Sequence, residues 1–405
     1  MLRTQPHPVH SAEQSARQER PAADRSGVVS LWTILVLATV GLIGLTTVHL
    51  RLYGTAAGRA RLCCQSAALA AGHAWLSDRL LSSNLQTFEL DALDIRGTEA
   101  AVEISDYYLP GSGSYGHERV TVQTDWGNAA DVLQKHAAVP KGLRVLYSED
   151  GQRSAGSPAL FGVMPCRAAA TVAIQNSPSG FSISRDGSLP VFPFTLPETA
   201  TESTGAVGES SWKDQIELFQ GPDDFAWNPD THRFERGPDG IPEVDLTLST
   251  DDLSGGYKEL IALEFNAADT KSPRPWTQCL AEGLNHQDLA DRDWKSLDLA
   301  AQMDARRLNS AALYAASETL RTMKPVPAIL FLSRSSSSTS PAFSGSGTVT
   351  LQRPVAARCV EAKMVNSRQL RIRLQPGILI TSMAVDGKAT AVADNRYIYS
   401  VRPLD

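Results

Sequence analysis

The feature that most constrains this chain is an apolar run of 23 residues near its start. Residues 28–50 contain no Asp, Glu, Lys or Arg. The apolar core of a bilayer is crossed by about 20 such residues in helical form. The run therefore predicts a single transmembrane helix over residues 28–50. Trp32 and Tyr53 lie close to its two ends, where amphipathic rings favour the headgroup region.

Two alternatives compete with a transmembrane helix. A buried core helix is rarely apolar on every face over so many turns. A cleaved secretory signal would use the small residues 55–57 as its cleavage site. The apolar core of such signals is about 7–15 residues long, which is shorter than this run. We therefore expect the helix to remain in the mature protein.

The charges beside the run do not orient the helix. Three arginines precede it within residues 17–25, and three follow it within residues 51–61, so the positive-inside rule weighs both sides nearly equally. Residues 1–27 are short and polar, which predicts a disordered cytoplasmic leader. The predicted location is the inner (cytoplasmic) membrane, with the large C-terminal domain on the extracytoplasmic, periplasmic side.

A helical extension is predicted beyond the run. Residues 51–83 contain no Pro and many Ala, the strongest helix former. Gly54, Ala57 and Gly58 are the candidate helix-packing residues, because small side chains let the backbone of another helix approach closely. The alternative is that these small residues are merely compatible with the helix.

The remaining sequence alternates between strand-like and helix-like patterns, which favours the α+β class. The predicted architecture is a transmembrane helix that continues into the Ala-rich helix and is followed by a β-rich mixed extracytoplasmic domain. Its predicted parts are a β-rich subdomain at 84–197, an acidic turn-rich linker or insertion at 198–256, a mainly helical segment at 257–325 and a β-rich C-terminal subdomain at 326–405.

Three stretches give more specific predictions. Residues 101–109 and 118–126 alternate apolar and polar side chains, which predicts two strands. Residues 189–197 are apolar but contain three Pro. Because Pro cannot donate to a strand ladder, these residues are not expected to form a central strand.

The composition argues against several classes of protein and site. The net charge of −6 argues against a nucleic-acid partner, since such proteins normally carry a basic surface. The five Cys form no CxxC pair and no cluster with His at zinc spacing. At most one pair among Cys166, Cys279 and Cys359 could form a disulfide. Otherwise the cysteines are expected to be small buried apolar residues.

The chain shows no motif for catalysis. The glycines of residues 111–116 match GxGxxG, but a strand-like pattern follows them, which favours a hairpin loop over a dinucleotide site. The eight His form no HExxH motif. No enzyme, catalytic residue, cofactor or metal is therefore predicted. Five aspartates near Gly and Pro would fit a calcium loop or, more simply, a solvated turn: Asp223, Asp224, Asp230, Asp239 and Asp245.

The residues around the apolar run resemble a known family. The run leads into LRLYGTAAGRARLCCQSAALAAGHAWL at residues 50–76, and residues 167–172 precede a Pro-punctuated apolar segment. Both features are similar to those of TadE/TadG-like Flp pilus-assembly proteins. Gln65 stands where the Ala-rich motif of that family usually has Asp. The von Willebrand A metal site of some members is only half matched, by residues 252–256.

The resemblance implies a single-pass, membrane-anchored bacterial envelope protein. It would be a structural or assembly component of a Flp (tight-adherence) pilus or a related secretion system, with a role in adhesion. The implied partners are the membrane, other pilus-assembly or pseudopilin-like membrane proteins, and further copies of the chain through the N-terminal helix. One alternative is a membrane-tethered extracytoplasmic binding module, and another is a tethered hydrolase. The binding module would use an exposed aromatic patch drawn from Trp212, Trp227, Trp276 or Trp294.

Overall fold

The computed structural model divides the chain into two units, Met1–Gly58 and Arg59–Asp405. Most of the predicted leader at 1–27 lies outside the described residues, as do the glycines at 111–116 and the half-matched motif at 252–256. The described residues are 26–83, 85, 87–108, 120–125, 142–149, 166–197, 212–250, 258–265, 274–335, 346–386 and 395–404.

The N-terminal helix α1 covers Ser26–Trp75 without interruption over 50 residues. It joins the apolar run to the Ala-rich stretch, where the high helix propensity of Ala sustains it. A 3₁₀ turn follows at Asp78–Leu81. The run is therefore the first part of one long helix and is not a separate element.

The predicted transmembrane helix at 28–50 is wrong by the evidence of this structure. Among the residues that the structure describes, no helix combines the length and the mean hydropathy that crossing a membrane requires. The predicted fold class is corrected with it: the described chain is a β-rich domain with helices, and none of its described helices meets the requirement for spanning a membrane. The same finding contradicts the predicted location in the inner membrane.

The other helical segments are shorter, and two of them have side-chain caps. Asn285 forms a capping box with Asp288 at the start of the helix His286–Ala290, and the Asn309 side chain accepts from the backbone N–H of Ala312 at the start of the helix Ser310–Thr322. These bonds satisfy amides that a helix start leaves without partners. The segments are α2 Thr87–Tyr108, a π-helical turn Lys213–Glu217, α3 Trp276–Glu282, α4 His286–Ala290 and α5 Ser310–Thr322.

Strands make up most of the remaining described chain. In order they are β1 Val120–Asp125, β2 Gly142–Glu149, β3 Cys166–Gln175, β4 Pro178–Phe181, β5 Ser188–Leu189, β6 Val191–Pro197, β7 Phe225–Asn228, β8 Arg233–Arg236, β9 Val244–Ser249, β10 Glu259–Leu263, β11 Leu284–Asn285, β12 Leu297–Asp298, β13 Gln302–Arg306, β14 Ala328–Ser335, β15 Ser346–Asn366, β16 Gln369–Pro376, β17 Leu379–Ile380, β18 Ala384–Asp386 and β19 Ile398–Leu404.

The main sheet has seven strands in the order β13-β10-β6-β14-β15-β16-β9. A further pairing joins β9 to β10, so the sheet closes on itself. Its strands carry several of the largest fully buried side chains, among them Phe192, Phe194 and Phe331. The predicted linker at 198–256 and the predicted helical segment at 257–325 both contribute strands to this sheet, namely β9, β10 and β13.

Strand β6 overturns the prediction made from its prolines. It lies between β10 and β14 in the middle of the main sheet. Its pairing with β14 is irregular where Val191 and Thr195 lie opposite Ile329 and Phe331, and Pro193 falls within this irregularity. Pro has no backbone N–H to donate. A strand tolerates it at such a point, because the irregular pairing there does not require a hydrogen bond from that position to the neighbouring strand.

A second sheet, in the order β1-β2-β3-β19-β17, is covered by helices. A Cβ on Gly72 of α1 would lie 2.8 Å from Val401 Cγ1, so this glycine lets the helix backbone approach β19 closely. Trp75 Nε1 donates to Asp94 Oδ1 at 2.8 Å and joins α1 to α2. The C-terminal part of α1 and helix α2 thus form one layer over this sheet.

Helix α2 contains residues 101–108, which were predicted as part of a strand at 101–109, so this prediction is wrong for the described residues. Buried positions recur every fourth residue, at Leu93, Gly97, Ala101 and Ser105. This spacing places them on one face of a helix. The nine residues used for the prediction were too few to show the helical spacing that extends along α2.

A largely buried ion pair connects the turn after α1 to the main sheet. Asp78 accepts from Arg358 of β15 at 2.5 Å and from the backbone N–H of Ile378 at 2.6 Å. The Arg358 guanidinium also lies over the Trp227 ring, 4.6 Å from its centroid. The 3₁₀ turn is therefore anchored through a single carboxylate.

Candidate functional site

The most unusual surface of the described chain lies on the first part of α1. Residues 32–50 are termed the apolar segment. Eleven of its large apolar side chains are between 37 % and 70 % exposed. They are Trp32, Ile34, Leu35, Val36, Leu37, Val40, Leu42, Ile43, Leu45, Val48 and Leu50.

The apolar segment is apolar around its whole circumference. A helix turns once in about 3.6 residues, so the four consecutive apolar residues 34–37 already cover one turn. The hydroxyls of Thr39 and Thr47 donate to the carbonyl oxygens of Leu35 and Ile43, at 2.8 and 2.7 Å. These threonines are satisfied within the helix and do not interrupt the apolar surface.

Exposure of this surface has a large free-energy cost. Burying a Val, Leu, Ile or Phe side chain completely is worth about 1.5–3 kcal/mol. Eleven large side chains that are each about half exposed would release on the order of 10 kcal/mol on burial. Contiguous apolar surfaces of this extent mark interaction sites. We therefore expect another apolar surface to cover the segment.

The predicted helix-packing residues lie just beyond the apolar segment. Gly54 and Gly58 are exposed, and Ala57 is half-buried. A Cβ placed on either glycine would meet no atom within 4 Å, and the same holds for Gly41 and Gly44 inside the segment. The described chain therefore leaves the space beside these small residues open.

The Ala-rich stretch of α1 serves a different purpose. Ala60, Ala67, Ala68 and Ala71 are buried in the core of the unit Arg59–Asp405. Gly97 of α2 approaches this stretch so closely that a Cβ there would lie 3.4 Å from the carbonyl oxygen of Ala71. These alanines pack against the core of their own chain, so they are not available for contact with a helix of another copy.

Two of the predicted aspartates hold the loops around the β7–β8 hairpin. Asp223 accepts hydrogen bonds from the backbone N–H groups of Asp239 and Gly240, at 3.0 and 2.9 Å. Asp239 accepts from those of Trp227 and Ile241, at 3.2 and 2.9 Å. These carboxylates satisfy loop amides, a role that neither a calcium loop nor a solvated turn describes.

The other predicted aspartates lie beside arginines or in a turn. Arg373 pairs with Asp224 at 2.8 Å and with Asp245 at 2.9 Å. Asp230 lies in the turn between β7 and β8. Within the described ranges, no group of three or more His, Cys, Asp or Glu side chains is arranged to hold a metal ion.

Glu243 is a buried carboxylate that the sequence did not reveal. Its side chain is fully buried and accepts from the backbone N–H groups of Asp224 and Phe225, at 3.0 and 2.9 Å. Burial raises the pKa of Glu243 to about 7, although these bonds and the charge of Arg373 lower it. No local signal marks this residue, because a Glu beside a strand is normally exposed.

The pKa values of Asp239 and Asp245 shift in opposite directions. Burial raises the pKa of Asp239. Burial acts in the same direction on Asp245, but the hydrogen bonds from Arg373 and Arg371 outweigh it, so the pKa of Asp245 is lowered. Direct pairing with guanidinium groups therefore decides which carboxylate stays charged.

The described cysteines are buried and have free thiols. Burial raises the pKa of Cys279 to about 11 and that of Cys359 to about 12, so both stay protonated and unreactive at neutral pH. Cys279 and Cys359 do not bridge. The side chain of Cys166, the third residue of the predicted choice of pairs, lies outside the described residues.

The four tryptophans considered for an aromatic patch are each held by separate local contacts. Trp212 is fully buried. Trp276 donates from Nε1 to the carbonyl oxygen of Pro193 at 2.8 Å. Trp227 and Trp294 are half-buried, and an arginine guanidinium lies 4.6 and 5.3 Å from their ring centroids. These contacts belong to the packing of the domain itself.

Comparisons with protein-family models, with characterised proteins and with solved structures found no match. The resemblance to TadE/TadG-like proteins therefore stays a prediction from the sequence. Of the surfaces described above, the apolar segment is the most extensive.

Proposed function

We propose that this chain is a structural component of a multi-subunit assembly in which the apolar segments of several copies pack together. The observation that carries the proposal is the apolar segment, whose large side chains are exposed on every side of α1. The role is one of binding and not of catalysis. The TadE/TadG-like resemblance suggests the kind of assembly, a Flp-type pilus or a related secretion system.

The circumference of the segment determines how many neighbours it needs. A helix with a single apolar stripe is covered by one partner surface. The apolar segment exposes large side chains in all directions, so its burial requires more than one neighbouring helix. A second copy offers a surface of the same length and chemistry. A bundle of like helices is therefore the simplest arrangement that covers the segment.

Small residues supply points of close approach along the same helix. Gly54 and Gly58 have open space beside them, and Ala57 lies between them. Where helix backbones come close together, van der Waals contact between them increases. We propose this step of small residues as the place where neighbouring copies of α1 approach most closely.

The test is disulfide cross-linking between copies of the full chain. The described native cysteines are buried, so an introduced exposed cysteine should dominate the reaction. L42C and G54C are expected to give covalent dimers on mild oxidation, because the neighbouring helix brings two such thiols together. R185C, at an exposed position in the unit Arg59–Asp405, is the matched control and is expected to give far fewer dimers.

Two results would count against the proposal. Equal cross-linking of L42C and R185C would show that the contacts are random collisions. Flotation of the full chain with phospholipid vesicles, without dimers of L42C or G54C, would show that lipid and not a second copy covers the segment.

A further inference from the structure

Two adjoining cavities lie in the unit Arg59–Asp405. The first has a volume of 370 Å³ and an apolar wall that includes Leu80, Leu81, Leu85 and Phe219. The second has a volume of 330 Å³ and is lined mainly by polar side chains. Glu217, Leu218, Arg396 and Tyr397 line both cavities. Each volume lies near the lower end of the range of small-molecule sites, about 300–1,000 Å³.

The wall that the cavities share has an irregular backbone. Lys213–Glu217 form a π-helical turn, a geometry found frequently at functional sites. Phe219 follows with φ of 54°, in the left-handed region that is costly for a bulky side chain. Leu218 and Phe219 are 53 % and 40 % exposed. The fold thus holds two large apolar side chains open to a ligand in the first cavity.

Hydrogen bonds fix the polar part of this wall. The buried Tyr397 hydroxyl accepts from Trp212 Nε1 at 3.2 Å and donates to Glu217 Oε1 at 3.4 Å. Glu217 pairs with Arg353 at 2.5 Å. Asn395 Oδ1 accepts from the backbone N–H of Tyr397 at 2.8 Å. Since each group restrains the next, these residues hold the wall beside the two cavities in one arrangement.

The second cavity has more positive than negative charge. Lys213, Arg353 and Arg396 line it together with one carboxylate, that of Glu217, which leaves an excess of two positive charges. Arg353 is paired with this carboxylate. Within the described chain, Lys213 and Arg396 have no hydrogen bond or ion pair from their side chains, and both are exposed. An anionic group would complement these two cations.

We infer that the two cavities together bind a small organic anion with a carboxylate head and an apolar tail. The carboxylate would lie between Lys213 and Arg396, and the tail would lie against Leu80, Leu81 and Phe219. This chemistry occurs both in medium-chain fatty acids and at the apolar C-terminus of a peptide. The inference is independent of the assembly role proposed for α1.

Calorimetric titration of the full chain tests the inference. Octanoate and N-acetyl-leucine represent the two sources, and octanol and acetate each lack one half of the ligand. At least one of the first two should bind about tenfold or more tighter than octanol and acetate, a difference of about 1.4 kcal/mol. The tighter of the two identifies the source.

Variants link the binding to the cavities. R396Q and K213Q should each weaken octanoate or N-acetyl-leucine binding about fivefold or more, equivalent to roughly 1 kcal/mol. R185Q, at an exposed arginine that lines neither cavity, should leave binding unchanged. Thermal unfolding of each variant checks that it is folded.

Three results would overturn the inference. The first is that neither octanoate nor N-acetyl-leucine binds at millimolar concentration. The second is that octanol or acetate binds as tightly as they do. The third is that R396Q and K213Q both retain full affinity.

Discussion

Single carboxylates around the β7–β8 hairpin behave according to what surrounds them. Glu243 is fully buried, and its pKa rises to about 7. Asp245 accepts hydrogen bonds from two arginines, and its pKa falls. From the sequence, Asp245 belongs to an acidic, turn-rich region, but the sequence does not show that the pKa of Glu243 is raised and that of Asp245 is lowered. The arginines that matter come from β16, more than a hundred residues along the chain.

Glu243 should make the protein less stable as the pH rises. Its pKa in the folded state is about 7, above the ordinary value of 4.5, so the folded chain holds a proton that the unfolded chain releases. This stabilisation is complete below the unfolded pKa and is lost as the pH rises through the folded one. The free energy of unfolding, measured by urea denaturation, should fall by up to about 3 kcal/mol between about pH 5 and pH 8.

Two variants separate this effect from others. E243Q has no titrating group at this position, so its unfolding free energy should vary less over the same range. D245N is the control, because the stabilisation by Asp245 is present above its unfolded pKa and is lost only as the pH falls. An equally steep decline in E243Q would show that another group is responsible.

Asp78 should contribute far more to stability than a neighbouring exposed ion pair. Its side chain and that of Arg358 are 17 % and 9 % exposed. D78A leaves a buried arginine without this partner and is expected to cost about 3–5 kcal/mol. E89A breaks the pair with Arg79, whose side chain is 69 % exposed, and should cost no more than about 1 kcal/mol. Equal losses in chemical denaturation would contradict this reading of the pair.

At the scale of elements, local patterns predicted some strands and failed for others. Strand β1 lies within residues 118–126, where the alternation of apolar and polar residues predicts a strand. The prediction for β6 failed because the irregularity that accommodates Pro193 depends on its partner β14. Helix α2 was missed because nine alternating residues sit inside a longer helical period.

The candidate sites also differ in whether they can be identified from the sequence. The apolar segment and the step Gly54, Ala57, Gly58 could be identified from the sequence, because their signal is continuous along the chain. The two cavities could not. Lys213, Arg353 and Arg396 are far apart in sequence. They lie in the π-helical turn, on β15 and just before β19, so they line one cavity only in the folded chain.

Two glycines of α1 should respond in opposite ways to a larger side chain. In G72L the new side chain must enter the contact with Val401, where even a Cβ lies at 2.8 Å, so a loss of about 1–3 kcal/mol is expected. In G58L nothing lies within 4 Å of the new Cβ, and the helix gains propensity. Thermal unfolding should therefore show a lower Tm for G72L and no decrease for G58L.

The G58L variant has a second readout. If copies of α1 approach each other at the small residues, the larger side chain should reduce cross-linking of L42C in the same chain. Unchanged cross-linking would place the close approach elsewhere on the helix.

At the scale of the whole molecule, one continuous helix serves two kinds of contact. Its Ala-rich residues are buried in the core of the unit Arg59–Asp405, and its apolar segment is exposed. An exposed apolar area of this extent favours association with another surface. The chain as a whole is therefore built to be covered along residues 32–50.

The most direct test of this account is the molar mass of the full chain in solution as a function of concentration. Sedimentation equilibrium should show a defined oligomer for the wild-type chain, because we propose that neighbouring copies cover the apolar segment. L35E and L42E together should shift the mass to that of a monomer, while the unfolding of the unit Arg59–Asp405 stays unchanged. A wild-type chain that is monomeric at every concentration, or a double variant that keeps the wild-type mass, would contradict the account.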